Sequence, residues 1–224
     1  MKPITTIQGK ELQIPIIRKV FLICGILSSL LYVSTDILAV MQWTEYSYTS
    51  QAVSELMAIG APTRPSVVLL FSIYGIFVIA FGLGICVSDS RKRARFTGIV
   101  VIAYGLVGLV TLLFFPMHLR GAQKTTSDIM HATLTSIMVL FILLSIGFGA
   151  VIHGKRFRLY SIGTILILLL FGILAGLDGP RVAAQLPTPW LGITERINIF
   201  TYLLWVLVLA IKCLRKEYVI LQKA

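Results

Sequence analysis

Six runs of nearly unbroken apolar residues alternate with short polar links along this chain, over 18–41, 67–87, 97–116, 129–152, 159–177 and 196–214. About 20 residues at a 1.5 Å rise cover a hydrocarbon core of about 30 Å, so each run predicts a helix able to cross a bilayer. The pattern predicts an all-α, polytopic membrane bundle of six transmembrane helices. The links differ in kind. Those after the second and fourth runs are short and basic, whereas 42–66, 117–128 and 178–195 are longer and chemically richer. In the first of these, Val53, Leu56 and Met57 recur at helical spacing and Gly60 with Pro62 gives a stop signal, predicting a short helix at the membrane surface or dipping into it.

Composition agrees with the pattern. The 224 residues are 57% hydrophobic and 13% charged, with a mean hydropathy of +0.92, too much apolar surface for one soluble domain of this size to hide. Charge then sets an orientation. Fifteen of the 20 basic residues fall before the first run, after the second, after the fourth and after the sixth, leaving Arg64, Arg120, Lys124, Arg181 and Arg196 for the opposite side. The positive-inside rule therefore predicts cytoplasmic termini, a multi-pass protein of the cell membrane, and an extracytoplasmic position for the short helix. It divides the chain into a cytoplasmic segment 1–17, a membrane domain 18–214 and a cytoplasmic tail 215–224. The first run reads as a retained span, since no small-residue cleavage site follows it. The net charge of +11 lies in short loops where insertion topology accounts for it, and no contiguous basic stripe points to nucleic acid. Cys24, Cys86 and Cys213, without a CxxC pair or a neighbouring histidine in sequence, read as small apolar fillers.

The acids run the opposite way. Asp36, Glu45, Glu55, Asp128, Asp178 and Glu195, six of the nine, lie at or near the ends away from the basic loops. Asp36 is followed by ILAVM, which puts it more than one turn inside its span, where a lone charge costs about 2 kcal/mol or more. It needs a proton or a partner, and Arg64, Arg181 and Arg196 are the candidates. TTSD opens the fourth helix with Thr126 or Ser127 as cap and Asp128 in the first turn. His131 follows at i+3, on the same face. A carboxylate against an imidazole is the arrangement of general bases and of metal second shells. Asp128, His131 and Glu55 are therefore candidate catalytic residues, and His118, His131 and Asp128 a candidate set for a divalent metal such as zinc, against a plainer reading as caps and a satisfied histidine. In TERI, Thr194 is the expected cap of the sixth helix. Asp36, Asp178, Arg181, Glu195 and Arg196 are candidate substrate contacts, with Arg181 and Arg196 holding an anionic group. Gly172 and Gly176, spaced as GxxxG, predict close packing inside the monomer or an oligomer contact.

YSYTSQAVSELMAIGAP, FFPMH, SDIMHATL and GITERI leading to Trp205 resemble, in that order, a family of bacterial and archaeal six-helix membrane proteins catalogued as a domain of unknown function. The resemblance covers roughly 18–212, and Ser54, Glu55, Leu56, Phe115, Pro116, His131, Glu195 and Arg196 carry its most specific pieces. Met117 and His118 stand where that family often has an acid. The resemblance implies a fold and a functional face rather than a reaction. The layout is also similar to that of six-helix eukaryotic proteins of lipid and GPI-anchor remodelling, which points toward lipid substrates. Three readings follow: a protein that binds or modifies a lipid or lipid-linked headgroup, a small proton-coupled transporter, and a non-catalytic structural or stress-related membrane protein.

Overall fold

The computed structural model describes residues 5–221, with side chains described over 16–215. Lys2 and Lys223, two of the basic residues used above, lie outside the described residues, as do the side chains of Lys10 and Lys216.

Among the described residues the regular structure is all-helical. Helix α1 runs Thr5–Gln42, α2 Arg64–Ser88, α3 Lys92–Phe114, α4 Thr126–Gly149, α5 Lys155–Leu177, the short α6 Gly179–Ala183, and α7 Leu191–Leu221; a 3₁₀ turn occupies Val53–Met57. Six of these helices are long and apolar enough to cross a membrane. A helix of 23 residues, such as α3 or α5, is about 35 Å long, enough for the hydrocarbon core. The α1–α2, α3–α4 and α5–α7 connections gather at one end of the bundle, the loop end. The α2–α3 and α4–α5 links, with Arg91 and Lys155, form the opposite, basic end.

Packing is uneven around the bundle. α1, α2 and α3 run closely side by side, α7 lies along α1 and α5, and α4 lies along α3 but meets α5 and α7 only sparsely. Close approach of α2 to α3 depends on paired glycines, since a Cβ at Gly82 would stand 2.7 Å from the Gly98 carbonyl oxygen. Where lipid supplies no hydrophobic drive between helices, such backbone proximity is what gains dispersion contact. On the other side, Trp205 of α7 is fully buried, stacks at 6.0 Å on Phe157 and donates its indole N–H to Ser161 Oγ at 3.0 Å, fixing α5 to α7.

The short helix expected in the first long link is a 3₁₀ turn over Val53–Met57. Val53 and Leu56 are buried within the loop end, packed against the rest of the protein. Its C-terminal neighbour Ile59 pairs with His118 in an isolated parallel bridge, joining the first and second long links.

Candidate functional site

Two ion-pair locks and one open cavity organise the loop end. In the first lock, the Asp36 carboxylate accepts from Arg196 Nε and Nη2, both at 2.9 Å, and neither side chain is more than 2% exposed. Of the three arginines that could meet Asp36, Arg196 does so. Its remaining donors go to the Tyr48 carbonyl at 2.9 Å, the Gly192 carbonyl at 3.3 Å and the Tyr46 hydroxyl at 3.0 Å, and the Tyr48 ring centre lies 3.9 Å from the guanidinium carbon. Burial pushes the Tyr46 hydroxyl well above the usual phenol range, against the pull of the neighbouring Arg196. Gly192 is part of this lock: its N–H donates to the Thr49 carbonyl at 2.8 Å, and a Cβ there would collide with the Tyr48 and Gln51 carbonyls.

The second lock is built on Glu55, 1% exposed, which accepts from Arg120 Nε at 3.0 Å and Nη2 at 2.8 Å, from Gln51 Nε2 at 3.0 Å and from the Ala52 N–H at 2.9 Å. Arg120 also donates to Thr188 Oγ1 at 2.7 Å and to the Ser50 carbonyl at 2.9 Å. One guanidinium thus ties together the three long links. Glu55 is fully engaged and does not line the cavity described below.

The Asp128–His131 pair expected from their i+3 spacing does not form. Asp128 caps its own helix from N3, accepting the Thr125 N–H and hydroxyl, both at 2.8 Å, and turns toward His118, whose N–H donates at 2.7 Å and whose Nδ1 stands 3.1 Å away. The N-cap is Thr125, not Thr126 or Ser127; Ser127 instead donates to the Pro116 carbonyl. His131 Nδ1 lies 2.9 Å from the Phe115 carbonyl oxygen. A carbonyl only accepts, so Nδ1 carries the proton and, in the neutral ring, Nε2 is left as an acceptor. The candidate metal set is therefore divided, and among the described residues no three His, Cys, Asp or Glu side chains are grouped to share an ion.

The remaining acids are dispersed. Asp178 caps the end of α5 and faces Arg181 at 3.6 Å, while Arg181, half-exposed, donates twice to the Pro187 carbonyl. Helix α7 begins at Leu191, one turn earlier than Thr194 as a cap required, because Thr194 donates back to the Trp190 and Leu191 carbonyls. Glu195 consequently sits within the helix, where Oε2 accepts the Val53 N–H at 2.7 Å; among the described residues it makes no ion pair within 4 Å. At the basic end, His153 Nε2 lies 3.4 Å from Cys213 Sγ, a neighbour the sequence spacing does not reveal.

Between α4 and the α5–α7 pair, backed by α3, lies a cavity of about 900 Å³. Its walls are largely apolar, with Leu109, Met138 and Ile142 among them, and it exists because α4 touches α5 and α7 so little. Of the sequence-derived candidates, His118, Asp128, His131 and Glu195 line it, whereas Asp36, Glu55, Asp178, Arg181 and Arg196 do not. Arg181 and Arg196 are thus not placed to hold an anion there. Gly172 and Gly176 both border this space, but a Cβ at Gly176 would meet nothing within 4 Å, whereas one at Gly172 would stand 2.9 Å from Asn198 Nδ2 of α7. Sequence reasoning overlooked Arg120, Asn198 and the tyrosines Tyr32, Tyr74, Tyr104 and Tyr202. Polar rings recurring inside apolar runs were the available signal, since a buried hydroxyl needs a partner; Tyr74 and Tyr104 supply each other at 3.0 Å between hydroxyl oxygens.

No curated protein and no solved structure matches the chain. A family model matches residues 26–212, from within α1 to near the end of the apolar part of α7, and so takes in both locks and the cavity. The chain belongs to the family described as protein of unknown function (DUF998).

Proposed function

We propose that this protein binds a lipid or lipid-linked amphiphile in the cavity between α4 and the α5–α7 pair, with the headgroup toward the loop end. The cavity carries the reading: about 900 Å³ of mainly apolar space, with Glu195, His131 and Asn198 among its polar contributors, has the size and the lining of a small-molecule site. Sparse contact of α4 with α5 supports entry from the side, through the bilayer. In this reading the loop end is extracytoplasmic, both termini are cytoplasmic and the membrane domain 18–214 is the functional unit. The locks at Asp36 and Glu55 hold the frame. Glu195 and His131 contact the ligand.

Filling the cavity tests the reading. A Cβ at Gly176 would meet nothing within 4 Å, so Gly176→Trp directs an indole into the cavity. Native mass spectrometry of the gently solubilised wild type should show a discrete lipid adduct that the variant lacks. Identical spectra, with or without adducts, contradict the proposal. Orientation is checked separately, in a background without native cysteines: Gln123→Cys should react with an impermeant maleimide added to intact cells, and Lys155→Cys should not.

A further inference from the structure

Charges at the loop end do not balance. Asp36 is matched by Arg196 and Glu55 by Arg120, each through two nitrogens of one guanidinium. Glu195 has no such partner among the described residues and takes one backbone N–H on Oε2, while its side chain lines the cavity. Two further acceptors line the same cavity. His131 has committed Nδ1 to the Phe115 carbonyl, which leaves Nε2 as an acceptor; Asn198 donates one Nδ2–H to the Leu168 carbonyl at 2.9 Å, which leaves Oδ1 and one N–H. Glu195 and Asn198 stand at i and i+3 on α7 and so share a face.

Aromatic rings complete the surroundings. Tyr32, Phe71, Tyr74, Tyr104 and Tyr202 line the same cavity, with Tyr32 stacked on Phe71 at 4.5 Å and edge-on to Tyr74 at 5.1 Å. Of the two carboxylates on the wall, Asp128 is held by Thr125 and the His118 N–H, and the guanidinium of Arg120, also on the wall, is held by Glu55, Thr188 and the Ser50 carbonyl. A carboxylate left without a guanidinium, neighbouring acceptors and electron-rich ring faces are the combination that recognises an organic ammonium. A phosphate or sulfate headgroup would meet a like charge at Glu195 with both nearby guanidiniums already engaged.

We infer that the cavity selects an amphiphile with a protonated amine in its headgroup, the ammonium seated at Glu195 between His131 and Asn198. This rests on the lipid-binding reading and adds the headgroup chemistry. Lys124, exposed and also lining the cavity, is available to a phosphate attached to that amine.

The test uses full-length protein in nanodiscs of equimolar phosphoethanolamine-headgroup and phosphoglycerol-headgroup lipid with identical chains, ejected into a native mass spectrometer. Wild type should retain the amine lipid over the other by about tenfold, and Glu195→Gln should bring that ratio toward one. A wild type without preference, or a Glu195→Gln protein that keeps it, overturns the inference while leaving lipid binding intact. A wild type that retains no lipid overturns both. Because the variant could fail to fold, a wild-type titration in a neutral detergent gives a second arm: dodecylammonium should bind at least about tenfold more tightly than dodecyl phosphate, and equal or reversed affinities overturn the inference. A short-chain amine binding as well as dodecylammonium would assign the site to a soluble amine and overturn the lipid-headgroup assignment.

Discussion

The α1–α7 seam and the α4–α5 gap treat membrane-buried charge in opposite ways. Along the seam, Asp36 and Arg196 are sealed, every donor of the guanidinium is engaged, and nothing of either residue reaches the cavity. Across the gap, Glu195 is one residue away from Arg196 in sequence yet faces open volume with a single backbone donor. Adjacent residues on one helix point about 100° apart, which is enough to send one into the frame and the other toward a ligand. Ionisable groups within a membrane are functional candidates by default, but partner stoichiometry separates those that hold the bundle from those left to act.

The largest expected effect lies on the seam. Arg196→Ala leaves Asp36 as an uncompensated buried charge and should cost about 3 to 5 kcal/mol, read as a collapse of the melting transition in detergent. Asp36→Leu combined with Arg196→Met should recover most of that loss, because an apolar pair removes both desolvation costs. Unchanged melting in Arg196→Ala would break the distinction between frame and site. Next comes Arg120→Ala, which strands Glu55 and unties three links at once. It should cost about 2 to 3 kcal/mol and speed hydrogen exchange at 47–56 and 186–190 before the helices exchange. His131→Ala, on the gap side, should cost only about 1 kcal/mol for the lost bond to the Phe115 carbonyl while lowering the fraction of protein that carries an adduct. Smallest on stability is Gly176→Trp, a substitution into open space expected to shift melting by no more than about 0.5 kcal/mol while abolishing the adduct. If instead Gly176→Trp destabilises as strongly as Arg196→Ala, the space it fills is needed for packing and is no site.

Sequence made the six helices legible because apolar length is a local property, and their observed bounds fall within a few residues of the apolar runs for α2 to α5. It also offered Arg196 among three partners for Asp36. Which residues would meet across links was not legible: Arg120 reaches Glu55 over 65 positions, and no periodicity encodes such a contact. The i+3 spacing of Asp128 and His131 gave a true shared face and a false pair, since the nearer claims on Asp128 are the Thr125 N–H and hydroxyl and the His118 N–H. Gly172 and Gly176 show the same limit. A small residue at helical spacing admits either a close neighbour or an empty volume: Gly172 has the first, in the Asn198 side chain of α7, and Gly176 the second.

The most direct measurement is to map where lipid touches the protein, using a phospholipid with a diazirine in its acyl chain, incorporated into nanodiscs with wild type and analysed by peptide mass spectrometry after irradiation. Inward positions Thr135, Val139 and Ala175 should be labelled, and their labelling should disappear in Gly176→Trp, while outward positions Leu140, Leu166 and Leu170 are labelled in both. Labelling confined to the outward set in wild type would mean that the gap between α4 and α5 holds no lipid, contradicting the central claim.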